Sequence, residues 1–141
     1  MVAMSAGEWR EFLLEGTRTG KLGTVRADGR PHVAPVWFVL DGDDILFNTG
    51  ANTVKGRNLR RDGRVSFCVE DDTPPYAFVI INGTVAISDY LPDVRRWATA
   101  IGGRYMGVHR AEEFGRRNGV PGELLVRLTP TSVVAEHAIA D

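Results

Sequence analysis

The 141-residue chain is short of several residue types, and each shortage closes off a class of protein. Its single cysteine, Cys68, cannot form an internal disulfide or join a multi-cysteine metal site. The three histidines, His32, His109 and His137, lie far apart with no partner at metal-ligand spacing, so no metal is expected. No apolar run approaches transmembrane length, and the N-terminus lacks a basic segment followed by an apolar stretch. Neither a membrane span nor a secretory signal is expected, and the expected compartment is the cytoplasm. Net charge is nearly absent: 17 Lys+Arg against 18 Asp+Glu leave -1, which argues against a surface built to hold nucleic acid. The P-loop, the dinucleotide glycine fingerprint and the serine-hydrolase elbow match nowhere. Lysine is scarce too, Lys21 and Lys55 being the only two among the basic residues.

What is present suffices for one folded domain. Hydrophobic residues make up 43% of the chain, enough to fill a core of this size. Ser5 and Glu8 fit a capping box, and Trp9, Phe12 and Leu13 follow at helical spacing, which predicts a helix over residues 5 to 16. Short apolar runs separated by Asp28-Gly29 and Asp41-Gly42 then predict a meander of three strands: 21 to 26, 32 to 40 and 45 to 49. Residues 52 to 61 read as a short helix, 64 to 70 as a half-buried strand, and 76 to 88 as a long strand carrying Asn82-Gly83 as either a hairpin turn or a bulge. Two helices, 92 to 106 and 110 to 117, precede two last strands, 123 to 128 and 132 to 136. Strands joined mostly by short turns favour an antiparallel sheet or barrel over a doubly wound parallel sheet.

Two segments carry chemical information. Between Lys55 and Arg64 stand five basic residues (Lys55, Arg57, Arg60, Arg61, Arg64) and one acid, Asp62. A helix N-terminus with a lysine beside it suits a phosphate, because free backbone N–H groups and the helix dipole favour an anion; Thr53 would add a hydroxyl donor. The competing reading is a solvated face paired with acids elsewhere, such as Asp41, Asp43, Asp44 or Glu70 to Asp72. The other segment, Pro31 to Phe38, has Pro35 in mid-strand, where it cannot donate to a ladder. Such a strand suits a flat aromatic ligand against Val36 and Trp37, or else an edge whose aromatics fill the core; both stay open. Packing is the better account of Cys68 than nucleophilicity.

Together these segments resemble the split-barrel flavin-binding family related to pyridoxamine 5'-phosphate oxidase, in particular its small actinobacterial branch using the deazaflavin coenzyme F420. The resemblance is carried by Thr19-Gly20-Lys21-Leu22-Gly23-Thr24-Val25, by Asp28 to Phe38, by Phe47-Asn48-Thr49-Gly50 and by Lys55 to Ser66, and it spans nearly the whole chain. It implies a mainly β fold with short helices, a split barrel of about six antiparallel strands. It further implies a homodimer with two cofactor sites at the interface. Pro35, Val36 and Trp37 match the strand beside the ring system, and Asn48 and Thr49 match the next strand. Thr53, Lys55, Arg57 and Asn58 match the phosphate-holding loop and helix start, and Tyr76 matches a contribution from the partner chain. The resemblance also favours the bulge at Asn82-Gly83.

The implied activity is hydride transfer between F420 and a small conjugated electrophile, with no side chain needed as acid or base. FMN in the same site, or a non-catalytic flavin or F420 carrier, are the alternatives. Pyridoxamine 5'-phosphate oxidases carry an Arg and His pair near the C-terminus, whereas this chain reads Ala135-Glu136-His137-Ala138-Ile139-Ala140-Asp141, so that oxidase reaction is not expected. Arg104, Arg110, Arg116 and Arg117 either meet the oligoglutamate tail of the deazaflavin or solvate a helix face.

Overall fold

The computed structural model describes residues 1–141. The capping box forms: Ser5 Oγ accepts the Glu8 N–H and Glu8 Oε1 accepts the Ser5 N–H, starting helix α1 (Ala6–Leu14), which buries Trp9, Phe12 and Leu13. The remaining elements run β2 (Gly20–Val25), β3 (Pro31–Val36), β4 (Val39–Asp41), β5 (Asp44–Gly50), α2 (Val54–Arg61), β6 (Arg64–Asp71) and β7 (Ala77–Ser88). Helix α3 (Leu91–Met106), a single tight turn at Val108–Arg110, α4 (Ala111–Asn118) and β8 (Glu123–His137) complete the chain. A two-residue strand, β1 (Val2–Ala3), pairs with the end of β8.

The sheet runs β3-β2-β6-β7-β8-β5-β4, with every pairing antiparallel. Its two edge strands are consecutive in the chain, separated only by Trp37 and Phe38. Three Cα–Cα links span at most about 11 Å, so the far edges of the sheet meet there and the sheet is rolled into a barrel. Leu22, Phe38, Phe47, Phe67, Ile81 and Leu128, all fully buried, fill its interior.

Two sequence expectations change in the process. The middle strand of the expected meander, residues 32 to 40, divides: its first part pairs with β2 and its last part with β5, on opposite sides of the closure. Local alternation signals extended chain but carries no record of which neighbour each residue has. The two expected last strands are one, because Thr129-Pro130-Thr131 is a bulge and not a turn. Gly83 faces Pro130 and Asn82 faces Ser132, which leaves Thr131 as the extra residue, its hydroxyl donating to Asn82 O at 3.1 Å. Gly83 is required here, since a Cβ would lie 2.2 Å from Thr129 O. One division, one merger and β1 turn the seven strands read along the sequence into eight, against the about six that the resemblance implies. No helix is long and apolar enough to cross a membrane.

Candidate functional site

Where β5 ends at Gly50, a short turn leads into α2, and local chemistry fixes its geometry. Thr53 caps the helix: Oγ1 accepts the Gly56 N–H at 3.0 Å and donates to Gly50 O at 2.9 Å. Thr49 Oγ1 lies 3.2 Å from the same hydroxyl. Gly56 lets the first turn of α2 settle onto the end of β5, where a Cβ would lie 2.1 Å from Gly50 O. This packing sets Lys55 in the lining of a cleft of about 260 Å³. Its walls are Pro35 and Val36 of β3, Trp37, Asn48 of β5, Ile101 of α3 and Asn118 of α4. Pro35 is tolerated because β3 is an edge strand with β2 on one side only.

Two features mark this cleft as incomplete by itself. The side-chain Nδ2 of Asn48 is buried and has no hydrogen-bond partner, a state that costs about 1–3 kcal/mol unless an acceptor is supplied. Lys55 forms no ion pair within 4.0 Å, although its charge draws down the pKa of Glu123. Burial is the larger influence on that carboxyl and leaves it above the usual carboxylate range.

Three of the other four cations of the Lys55–Arg64 stretch are spent locally, and the fourth, Arg60, is unpaired but outside this cleft. Arg64 holds Asp62 with two hydrogen bonds, 3.0 and 2.8 Å, which lower the Asp62 carboxyl to about 2. Arg61 donates to Val25 O and to Asn58 Oδ1, and Arg57 donates to Asn52 O at 2.9 Å. Arg60 lines a separate groove of about 660 Å³ with Leu59, Gly63 and Val85. Most of the acids that would have neutralised the cluster are engaged elsewhere: Asp43 with Arg10, Asp41 and Asp44 with Arg127, and Asp71 with Arg18.

The structure therefore gathers Pro35, Val36, Trp37, Asn48 and Lys55 in one cleft; Thr49 and Thr53 do not line it but fix the turn into α2, and the Thr53 hydroxyl, expected as a donor to the phosphate, donates to Gly50 O instead. Three further residues fall outside. Asn58 is buried at 4% exposure, with its Nδ2 on Thr24 Oγ1 at 3.1 Å and its Oδ1 taken by Arg61, so its amide ties α2 to β2. Arg57 does not line the cleft. Tyr76 is 43% exposed just before β7, its N–H donating to Thr73 O.

Ile101 and Asn118 line the cleft without having been singled out from sequence. Ile101 belongs to an apolar helical stripe, which reads as ordinary core. Asn118, at the end of α4, carries no local signal at all.

Helix α3 also secures the barrel closure. Tyr105 Oη accepts the Phe38 N–H at 3.2 Å and donates to Arg18 O at 2.8 Å. Arg104 donates to Phe38 O at 2.7 Å and to Leu13 O at 2.8 Å, so one guanidinium serves both the crossing and the carbonyl end of α1. The Trp37 and Tyr105 rings stack with centroids 5.0 Å apart and planes 2° from parallel. Burial lowers the pKa of Arg104 and raises that of Tyr105. Arg104 is thus committed to the fold. Arg110 and Arg116 pair with Glu113 and Glu112, and the Arg117 guanidinium lies 5.3 Å from the Phe114 ring centroid.

A rolled antiparallel sheet whose divided strand borders a cleft with a free cation and a free amide defines a split-barrel protein. The chain belongs to the pyridoxamine 5'-phosphate oxidase family, whose profile matches residues 6–136. That is a family of oxidoreductases that bind flavin-type cofactors. Among its relatives is a 5a,11a-dehydrotetracycline/5a,11a-dehydrooxytetracycline reductase of Streptomyces rimosus, 30% identical over 132 residues, covering 83% of this chain and 85% of the relative. A conserved hypothetical protein of Mycobacterium tuberculosis superposes with a TM-score of 0.85 at 30% identity, over 97% of this chain and 87% of that one. A structure described as an F420 reductase superposes with a TM-score of 0.70 at 27% identity, over 87% of this chain and 94% of that one.

The residues of the cleft fit a flavin-type group. Lys55 and the start of α2 suit its phosphate, Asn48 Nδ2 suits an acceptor atom, and Val36, Trp37 and Ile101 suit a flat ring.

Proposed function

We propose that this chain is an F420-dependent reductase acting on a small conjugated electrophile. The observation that carries the proposal is the cleft itself, in which an unpaired lysine at a helix start and an unpartnered buried amide flank an apolar, aromatic wall. Lys55 would hold the phosphate by charge, assisted by first-turn N–H groups of α2 other than that of Gly56, which Thr53 caps. Pro35, Val36 and Trp37 would hold the ring, and Asn48 Nδ2 would donate to an acceptor on it. When bound, the reduced ring supplies a hydride to an electron-poor carbon, and solvent supplies the accompanying proton. The protein's part is orientation and exclusion of water, which needs no acid or base side chain. The F420 reductase among its structural neighbours supports the choice of cofactor, and the Streptomyces relative, by name a reductase of dehydrotetracyclines, supports the direction of the reaction.

The proposal includes a second copy of the chain. A cleft of about 260 Å³ falls below the roughly 300–1,000 Å³ of sites that enclose a ligand of this size. The missing wall comes from a partner subunit, and the exposed Tyr76 is available for that contribution.

FMN is the second reading, because Lys55 would hold its phosphate equally well. Titrating the protein separately with F420 and FMN, followed by absorbance and fluorescence, distinguishes them. Saturable binding of F420, tighter than of FMN, is expected, together with turnover of an electrophilic acceptor. Tighter FMN binding transfers the assignment to FMN, binding without turnover on quinones and unsaturated lactones points to a carrier, and binding of neither overturns the proposal.

A further inference from the structure

The geometry points to Tyr105 as a positioning residue that sets the Trp37 indole as the wall of the cleft; its effect on cofactor binding rests on the function proposed above. Trp37 stands at the one place where the strand has left β2 and not yet reached β5, so no ladder fixes its backbone. An indole on such a segment is free to turn unless something outside the sheet holds it. Tyr105 is that holder in two separable ways. Its ring lies parallel to the indole at 5.0 Å, and Phe114 adds a tilted contact at 6.0 Å, so Trp37 is wedged between α3 and α4 while still lining the cleft. Its hydroxyl accepts the neighbouring Phe38 N–H and donates a hydrogen bond to Arg18 O. The hydroxyl thus serves the backbone crossing, and the ring serves the indole.

Tyr105 does not itself line the cleft, so whatever it contributes to cofactor binding passes through Trp37. Two variants separate its roles. Tyr105→Phe keeps the ring and loses both hydrogen bonds; Tyr105→Leu loses the ring as well. With F420 as the probe, Tyr105→Phe is expected to melt at a lower temperature yet bind within about threefold of the unsubstituted protein. Tyr105→Leu is expected to bind about tenfold more weakly and to change the visible circular dichroism of the bound ring.

The decisive comparison is a double-substitution cycle. In a Trp37→Leu background, Tyr105→Leu should cost no further affinity. Additive losses, or full affinity in a folded Tyr105→Leu protein, overturn the inference. A readout that needs no cofactor is the Trp37 emission, obtained by subtracting the spectrum of Trp37→Phe. In Tyr105→Leu it should shift to the red and become more open to acrylamide quenching, and an unchanged emission likewise overturns the inference. If F420 and FMN both fail to bind the unsubstituted protein, the proposed function falls while the emission still judges the positioning role.

Discussion

Asn48 and Asn58 are amides ten residues apart, both matched to the cofactor site by resemblance, and the fold gives them opposite work. Asn48 keeps a buried donor without an acceptor at the cleft, whereas Asn58 spends both ends of its amide on Thr24 and Arg61. Asn58→Ala is therefore expected to lower unfolding free energy in urea by about 1–3 kcal/mol while leaving cofactor affinity within about threefold. Lys55→Ala should do the reverse, weakening F420 binding tenfold or more in a fluorescence titration with little effect on stability, since no intrachain ion pair is lost. Unchanged affinity would remove Lys55 as the phosphate anchor. The sequence made the cation cluster legible, because a run of like charge stands out. It could not show that Lys55 and Arg60 stay unpaired, or that only Lys55 reaches the cleft, because hydrogen bonds to Asn52 O, Val25 O and Asp62 depend on the turns of α2 and its neighbours.

Among the elements, α3 has the widest reach. Arg104 reaches from it to the carbonyl end of α1 and to Phe38, joining three segments that no strand ladder connects. Arg104→Ala leaves those carbonyls without their donors and is expected to cost about 2 kcal/mol or more, read as a lowered urea midpoint. A protein of unchanged midpoint would show that water replaces the guanidinium. Helix positions were readable in advance from capping and apolar spacing, as Ser5, Glu8, Thr53 and the residue pattern of α3 attest. Strand partners were not. Pro35 announced an irregular edge, yet nothing local to residues 32 to 40 disclosed that the segment would serve two neighbours, and the Pro130 break suggested a turn where pairing with β7 imposes a bulge.

For the whole molecule, the proposed activity requires a second chain to complete each cleft. The protein is expected to sediment at about twice the 15.5 kDa of one chain, with both cofactor sites filled at saturation. A monomer that still binds F420 would place the missing wall elsewhere in this chain.

The two residues between β3 and β4 have a topological consequence as well. Because the barrel is joined there by covalent chain and not by a ladder of hydrogen bonds, where the backbone is cut decides what remains. Relocating the termini to the exposed Asp28-Gly29 turn leaves the closure intact. Relocating them between Trp37 and Phe38 leaves only the α3 contacts, Tyr105 on Trp37 and Phe38 and Arg104 on Phe38 O, to hold the two edges together, and the cleft should loosen with them.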